Sequence, residues 1–197
     1  MNSFALNCLA QKIISVNARH VHLLGGFAVD KLAGLLNNQT EYPLCFIANT
    51  APSNHVGKHW VAFYFCRPNR CEFFDSLGRH PHKYYMYSGI PEVELTLNQI
   101  EFQSTLSTVC GEYCIFFLYM RCSRSFYAVI HYLASRFSTC QLRDNFMRRY
   151  TRHLAIRYNL GDQLCDVSSC PSGAQCCTSY NAWCLDLPPD DPSHEYK

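Results

Sequence analysis

The sequence predicts an α+β fold in which a mixed central β-sheet is flanked by helices. Short runs rich in aromatic and β-branched residues, separated by turn residues, occupy the first half of the chain. Longer segments with apolar residues at helical spacing occupy the second half, and one such segment precedes the strands. Strands and helices that are grouped in this way, instead of alternating, are typical of α+β domains.

The first predicted element is a helix near the amino terminus. Residues 1–24 show mixed character, and a short helix or loop is expected there. From Gly26 to Leu36 apolar residues recur at helical spacing, and Asn37 and Asn38 end the pattern. We therefore expect an amphipathic helix over 26–36.

Three strands are predicted next. The runs 45–49, 59–66 and 71–75 are short, aromatic and β-branched, and turn-forming residues separate them. The third run stops at Asp75, directly before Ser76-Leu77-Gly78. Adjacent strands joined by short turns predict a hairpin-rich sheet.

The second half of the chain predicts helices after one more strand. The predicted elements are a short helix in 80–88, a half-exposed strand over 93–97, a central helix from Cys110, a helix around 126–133, and a helix over 139–158. The central helix is too hydrophobic to lie on a surface. In the last helix Leu142, Phe146 and Leu154 are expected to face inward.

Composition indicates one soluble domain. The chain has 197 residues, of which 48% are apolar, and this suffices for one core over residues 1–160. Residues 161–197 lose all periodicity and become rich in Cys, Ser and Pro, so a tail or appendage is expected there. No secretory signal or membrane-spanning segment is expected. Cysteines within apolar segments favour a reducing, intracellular compartment.

One cysteine stands where chemistry is expected. Cys110 follows a polar, loop-like segment and begins the central helix. The unpaired N–H groups and the positive end of the helix dipole favour an anion at that position. For a cysteine the anion is the thiolate, which attacks carbonyl carbons.

Three further residues complete a set for acyl transfer. His59 begins an apolar strand, where a base is rigid yet borders solvent. Asp75 ends the next strand, where its carboxylate can orient the imidazole. Gln103 lies seven residues before Cys110 and can donate its amide N–H to an oxyanion. Taken singly, His59 is better explained as a polar strand cap and Asp75 as a turn former.

These residues resemble those of a known family. His59-Trp60, the segment 74–78, Gln103 and the segment 110–114 are similar to the adenovirus-type (adenain-like) cysteine protease, particularly its Maverick or Polinton and adintovirus versions, which are related to SUMO and ubiquitin-like proteases. The order His, Asp, Cys matches the family's order, and residues 27–32 resemble its amino-terminal helix. The resemblance covers roughly residues 23–122.

The resemblance implies roles for five residues. Cys110 would be the nucleophile, His59 the general base, Asp75 its orienting acid and Gln103 the oxyanion donor. Trp60 would wall a narrow substrate groove that takes glycine, although an aromatic sheet residue explains it equally well. The implied fold is that of this protease class, and the implied activity is maturation of capsid or precursor proteins at small-residue sites. A deconjugating protease for a ubiquitin-like modifier, and a non-catalytic binding or zinc module, remain alternatives.

The sequence gives few indications of a cofactor or a binding partner. The sequence requires no cofactor, while the resemblance implies stimulation by a disulfide-linked peptide and by DNA. A net charge of +2 gives little attraction for nucleic acid, and the arginines at 148, 149, 152 and 157 are better explained as a solvated helix face. The cysteines at 165, 170, 176, 177 and 184 lack ordinary zinc spacing, so no metal is expected. We expect a monomer, located in the host nucleus or virion if the gene is viral or transposon-borne.

Overall fold

The computed structural model describes residues 3–37, 39–84 and 92–160. The chain runs through helix α1 (Ser3–Asn17), strand β1 (His22–Ala28), a 3₁₀ turn (Val29–Lys31), helix α2 (Leu32–Leu36), strands β2 (Leu44–Asn49), β3 (Trp60–Arg67) and β4 (Arg70–Phe74), a 3₁₀ turn (Pro81–Tyr84), strand β5 (Glu94–Leu97), and helices α3 (Cys110–Arg121), α4 (Phe126–Arg136) and α5 (Cys140–Arg157). The predicted domain boundary at 160 and the cysteine-rich segment 161–197 lie outside the described residues.

The five strands form one sheet in the order β1-β2-β3-β4-β5. The central strands β2, β3 and β4 pair antiparallel, whereas β1 pairs parallel to β2 and β5 parallel to β4. The sheet is therefore mixed and the fold is α+β, as the sequence predicts. The antiparallel hairpins put the start of β3 and the end of β4 at the same edge of the sheet.

The central strands are apolar on both faces because helices cover both. In β3, Ala62 and Tyr64 face a large core formed with α1, α3, α4 and α5. Val61, Phe63 and Phe65 point to the opposite face, where α2 closes a smaller core. A strand buried on both sides loses the polar alternation of a surface strand, which explains the uninterrupted apolar run in β3.

Helix α3 lies in the centre of the larger core. Nine of its residues, from Cys110 to Met120, are buried. Its helical neighbours and β3 surround it, and Phe117 stacks on Phe74 of β4 with ring centroids 4.6 Å apart. The prediction of a buried central helix is confirmed. In the described ranges no helix is long and apolar enough to cross a membrane.

The predicted helix over Gly26–Leu36 is wrong at its start. Strand β1 continues through Ala28, and the α-helical part covers only Leu32–Leu36. Phe27 and Ala28 pair with Ala48 and Asn49 of β2. This parallel pairing comes from a distant segment, so it overrides the helical spacing that the local sequence shows.

Three predicted helical segments differ in detail from the structure. The undecided amino-terminal region forms the 15-residue helix α1, and its buried residues recur at helical spacing from Ala5 to Ile14. In α5, Phe146 and Leu154 are buried as predicted, but Leu142 is 52% exposed. The buried face of α5 instead includes Arg143, whose guanidinium donates to the carbonyls of Leu133 and Phe102 at 2.9 and 2.8 Å.

The helix predicted in 80–88 is seen only in part. A 3₁₀ turn covers Pro81–Tyr84, and residues 85–91 lie outside the described part.

Candidate active site

Cys110 is the first residue of α3, and it is buried, with 9% of the residue exposed. The preceding residue Val109 provides no side-chain cap for the helix. At a helix start the first backbone N–H groups lie outside the regular hydrogen-bond pattern of the helix. Such a helix end stabilises negative charge on sulfur or on an oxygen bound nearby.

His59 lies immediately before β3, at the end of an exposed loop. The loop is closed at its base by Asn49, whose Oδ1 accepts from the N–H groups of Ala51 and Lys58 at 2.9 and 3.2 Å. The carbonyl of His59 also accepts from Thr50 N–H at 2.8 Å. The backbone that carries the imidazole is therefore held on both sides, although the loop itself is solvated.

His59 and Asp75 form a short hydrogen bond. His59 Nε2 lies 2.6 Å from Asp75 Oδ1, and the two side chains are 10% and 0% exposed. This bond uses Nε2, so Nδ1 is the ring nitrogen that remains for Cys110, whose side chain lies close enough to raise the pKa of the ring.

The charges around His59 favour its protonated form. Burial, the largest single influence, lowers the pKa of the imidazole. The hydrogen bonds to Asp75 and Cys110 and the charges of both groups act in the opposite direction. Together they raise the pKa of His59 to about 9.

Both oxygens of the Asp75 carboxylate accept hydrogen bonds besides the one to His59. Its Oδ1 also accepts from Leu77 N–H at 2.8 Å. Its Oδ2 accepts from Arg79 N–H at 3.2 Å and from the Tyr84 hydroxyl at 2.6 Å. Four hydrogen bonds to one buried carboxylate satisfy both of its oxygens and hold it in place against the imidazole.

The backbone around Asp75 is fixed by Asn98, which follows β5. Asn98 Oδ1 accepts from Asp75 N–H at 2.9 Å, and Asn98 Nδ2 donates to Asp75 O at 2.7 Å. These two bonds continue the β4–β5 pairing by one residue after the strands have ended. The turn then closes at Gly78, whose N–H donates to Asp75 O at 2.9 Å.

Gln103 is buried in the loop that leads to α3, with 3% exposure. Its side-chain nitrogen donates to the carbonyl of Ser107 at 2.8 Å. Its side-chain oxygen lies 2.6 Å from the Ser76 hydroxyl. The second hydrogen of the amide group remains for another acceptor.

The other predicted site residues are placed as follows. Trp60 is half-buried, is the first residue of β3, and pairs with Asn49 in the sheet. Cys114, one turn after Cys110, is buried, and burial is the main reason that its pKa is raised well above its ordinary value. The eight cysteines in the described part of the chain are all free.

Four further residues support the site, although the sequence pattern does not predict this role for them. Asn49 holds the loop of His59, and Ser76 holds the amide of Gln103. Tyr84 donates to the carboxylate of Asp75, and Asn98 binds the backbone of Asp75. Ser76 and Asn98 border strand ends, where a polar residue is usually explained as a turn former. Ser76 alone gave a sequence signal, because it directly follows the predicted site residue Asp75.

Comparison with solved structures shows the fold. The chain matches a de-sumoylating protease with a TM-score of 0.51 and 14% identity, over 83% of this chain and 86% of that one. It also matches the ASFV pS273R protease, with a TM-score of 0.47 and 19% identity over 78% of this chain and 67% of that one. At such identities the likeness to the de-sumoylating protease shows a shared fold.

A third solved structure is the central domain of the uncharacterized Lpg1148 protein from Legionella pneumophila, with a TM-score of 0.45 and 15% identity. It covers 79% of this chain and 98% of that domain. A scan against protein-family models found no matching family. A search of curated proteins found no match either.

Proposed function

We propose that the chain is a cysteine-type endopeptidase in which Cys110, His59 and Asp75 form the catalytic triad. The observation that carries the proposal is the 2.6 Å bond between the buried His59 and Asp75, on a ring that also reaches the sulfur at the start of α3. A buried acid that orients an imidazole beside a thiol is the arrangement that nucleophilic acyl transfer needs. The fold shared with a de-sumoylating protease agrees with this function.

In the proposed mechanism the Cys110 thiolate attacks the carbonyl carbon of a peptide bond. The resulting oxyanion accepts hydrogen bonds from the free amide hydrogen of Gln103 and from the Cys110 backbone N–H. The His59 imidazolium then gives its proton to the leaving amine, which releases the first product and leaves a thioester on Cys110. Neutral His59 takes a proton from water, and the hydroxide hydrolyses the thioester.

For the substrate, the leading candidate is a structural or precursor protein cut after a small residue. The proposed reason is a narrow groove walled by Trp60, in which glycine would leave room for the substrate backbone. This assignment extends the adenain-like resemblance of the sequence motifs. A peptide activator and DNA stimulation belong to the same proposal and are tested by adding each to the purified enzyme.

A second candidate is deconjugation of a ubiquitin-like modifier. The likeness of fold to a de-sumoylating protease favours it. Both candidates use the same triad and differ in the surface that binds substrate.

The experiment offers the purified protein a set of glycine-containing peptides and, separately, a SUMO-type fusion protein. Cleavage of the peptides alone supports the maturation-type protease, and efficient cleavage of the fusion supports the deconjugating enzyme. The Cys110→Ala variant must be inactive on either substrate, whereas Cys114→Ala, which removes the buried thiol one turn away, must retain activity. Inactive wild-type protein whose Cys110 also resists alkylation at neutral pH would support a non-catalytic binding module instead.

A further inference from the structure

Ser76 contacts Gln103 through both its backbone and its side chain. The carbonyl of Ser76 accepts from the N–H groups of Phe102 and Gln103 at 2.8 and 2.9 Å. Its hydroxyl lies 2.6 Å from Gln103 Oε1. Ser76 is 1% exposed, so water does not compete for these bonds. The loop before α3 is thereby tied to the turn that carries Asp75.

The direction of the Gln103 amide follows from its two partners. A backbone carbonyl can only accept a hydrogen bond, so the end of the amide that faces Ser107 O at 2.8 Å must be the nitrogen. The end that faces Ser76 is then the oxygen, which can only accept. The Ser76 hydroxyl therefore donates to Gln103 Oε1.

This direction decides whether Gln103 can bind an oxyanion. A flipped amide would present its oxygen to the developing negative charge, and it would also set that oxygen against the carbonyl of Ser107. An oxyanion donor acts best when it is held in place before the reaction. One anchor at each end of the amide holds it in this way.

We propose that Ser76 is a positioning residue of the endopeptidase, whose hydroxyl holds the Gln103 amide with its nitrogen toward the oxyanion. This inference rests on the proposed function. It implies that two adjacent residues organise both halves of the site, because Asp75 orients the general base and Ser76 orients the oxyanion donor. Gln103 is buried, so loss of the serine hydroxyl leaves its side-chain oxygen without a donor and frees the amide to rotate.

The test compares Ser76→Ala, Gln103→Ala and the double variant on a cleaved peptide. Ser76→Ala keeps both backbone bonds to Phe102 and Gln103, so it removes the side-chain anchor alone. We expect kcat to fall roughly tenfold, with KM within about twofold, because the affected bond acts on the transition state. Gln103→Ala should lose on the order of 10² to 10³ in kcat. The double variant should be no slower than Gln103→Ala, since Ser76 acts only through that amide.

Three measurements separate this role from a structural one. The rate and pH profile of Cys110 alkylation should be the same in Ser76→Ala as in wild type, because alkylation forms no oxyanion. Ser76→Thr, which keeps the hydroxyl, should retain more turnover than Ser76→Ala. Ser135→Ala, which removes a hydroxyl bonded to His131 O on the exposed face of α4, should have wild-type kcat and a wild-type melting temperature.

Several results would overturn the inference. One is an unchanged kcat in Ser76→Ala. Another is a double variant that is slower than Gln103→Ala by the full factor that Ser76→Ala loses alone. The third is slowed alkylation of Cys110 in Ser76→Ala. In each of these cases the wild type still cleaves peptide, so the proposed function survives. A wild type that cleaves nothing defeats the proposed function, and the role of Ser76 falls with it.

Discussion

Asp75 is a fully buried acidic residue, and its contact with His59 affects the pKa of that histidine. Its carboxylate accepts from His59, from two backbone N–H groups and from Tyr84. Burial lowers the pKa of His59, but the hydrogen bond to Asp75, followed by the Cys110 interaction and the Asp75 charge, raises it to about 9. The His59–Asp75 pair also makes folding stability depend on pH. Its stabilising contribution is complete below the ordinary histidine pKa and is lost as the pH rises through about 9.

The substitution Asp75→Asn should shift the pH dependence of cleavage. In wild type the imidazolium persists up to a pKa of about 9, and above it the proton for the leaving amine is lost. The variant lacks the carboxylate charge, so the alkaline fall in activity should move to lower pH, toward the ordinary histidine value. The turnover number should also drop on the order of 10²-fold. The measurement is kcat/KM on a peptide from pH 5 to about pH 10.

A matched control for this prediction is Glu94→Gln, which removes an exposed carboxylate on β5. It should leave the alkaline limb where it is in wild type. An Asp75→Asn limb that also stays near pH 9 would mean that Asp75 is not the group that keeps His59 protonated.

The roles of His59 and Asp75 could be predicted from the sequence because both residues lie at the ends of predicted strands. A histidine before one strand and an aspartate after the next must meet at one edge of an antiparallel hairpin, and they do so at 2.6 Å. The Ser76 contact could not be predicted in this way, because it joins positions 27 residues apart through the path of a loop. The Tyr84 contact depends likewise on a 3₁₀ turn whose direction the sequence does not specify.

At the scale of elements, the turn after β4 determines where Asp75 and Ser76 point. Gly78 adopts a φ of +64°, and a Cβ there would lie 2.7 Å from the carbonyl carbon of Ile100. Side chains rarely adopt that φ, and the contact is with backbone, which cannot move aside cheaply. The turn and the segment that follows β5 are therefore packed too closely for any residue but glycine.

Gly78→Ala is expected to destabilise the protein by roughly 1–3 kcal/mol, because it adds a strained φ to a backbone clash. Activity should fall as well, since the shift displaces Asp75 and Ser76. Gly34→Ala is the control: it adds the same methyl group within α2, where nothing lies within 4 Å, and it should be neutral or slightly stabilising. Urea unfolding of both variants measures the difference. Equal stability of the two variants would contradict the role assigned to the turn.

The elements differ in how far the sequence predicts them. Strands β2, β3 and β4 are local hairpins with aromatic runs and turn residues between them, so their pattern suffices. The helix predicted over 26–36 wrongly includes the end of strand β1, because β1 pairs parallel with β2 and its partner residues lie about 20 positions away, a contact that no local pattern specifies. In α5, the buried Arg143 and Asp144 occupy a face that hydrophobic spacing assigns to Leu142.

For the whole molecule, the mixed sheet and the buried α3 bring three separate segments together. The loop before β3 supplies His59, the turn after β4 supplies Asp75 and Ser76, and the start of α3 supplies Cys110. The larger core fixes these segments, because α3 packs on β3 and α1 from one side of the sheet. The fold class was predictable from the grouping of strands and helices, whereas substrate choice depends on surface shape that the residue pattern does not encode.

The most direct test of the account is covalent trapping at Cys110. A peptide that ends in a glycine vinyl methyl ester presents an electrophile where the scissile carbonyl would lie, and intact-mass analysis detects the adduct. The account predicts rapid addition of one peptide per chain, mapped to Cys110, absent in Cys110→Ala and strongly slowed in His59→Ala. Labelling that spreads over the half-buried cysteines at equal rates, or that persists in Cys110→Ala, would contradict the assignment of Cys110 as the nucleophile.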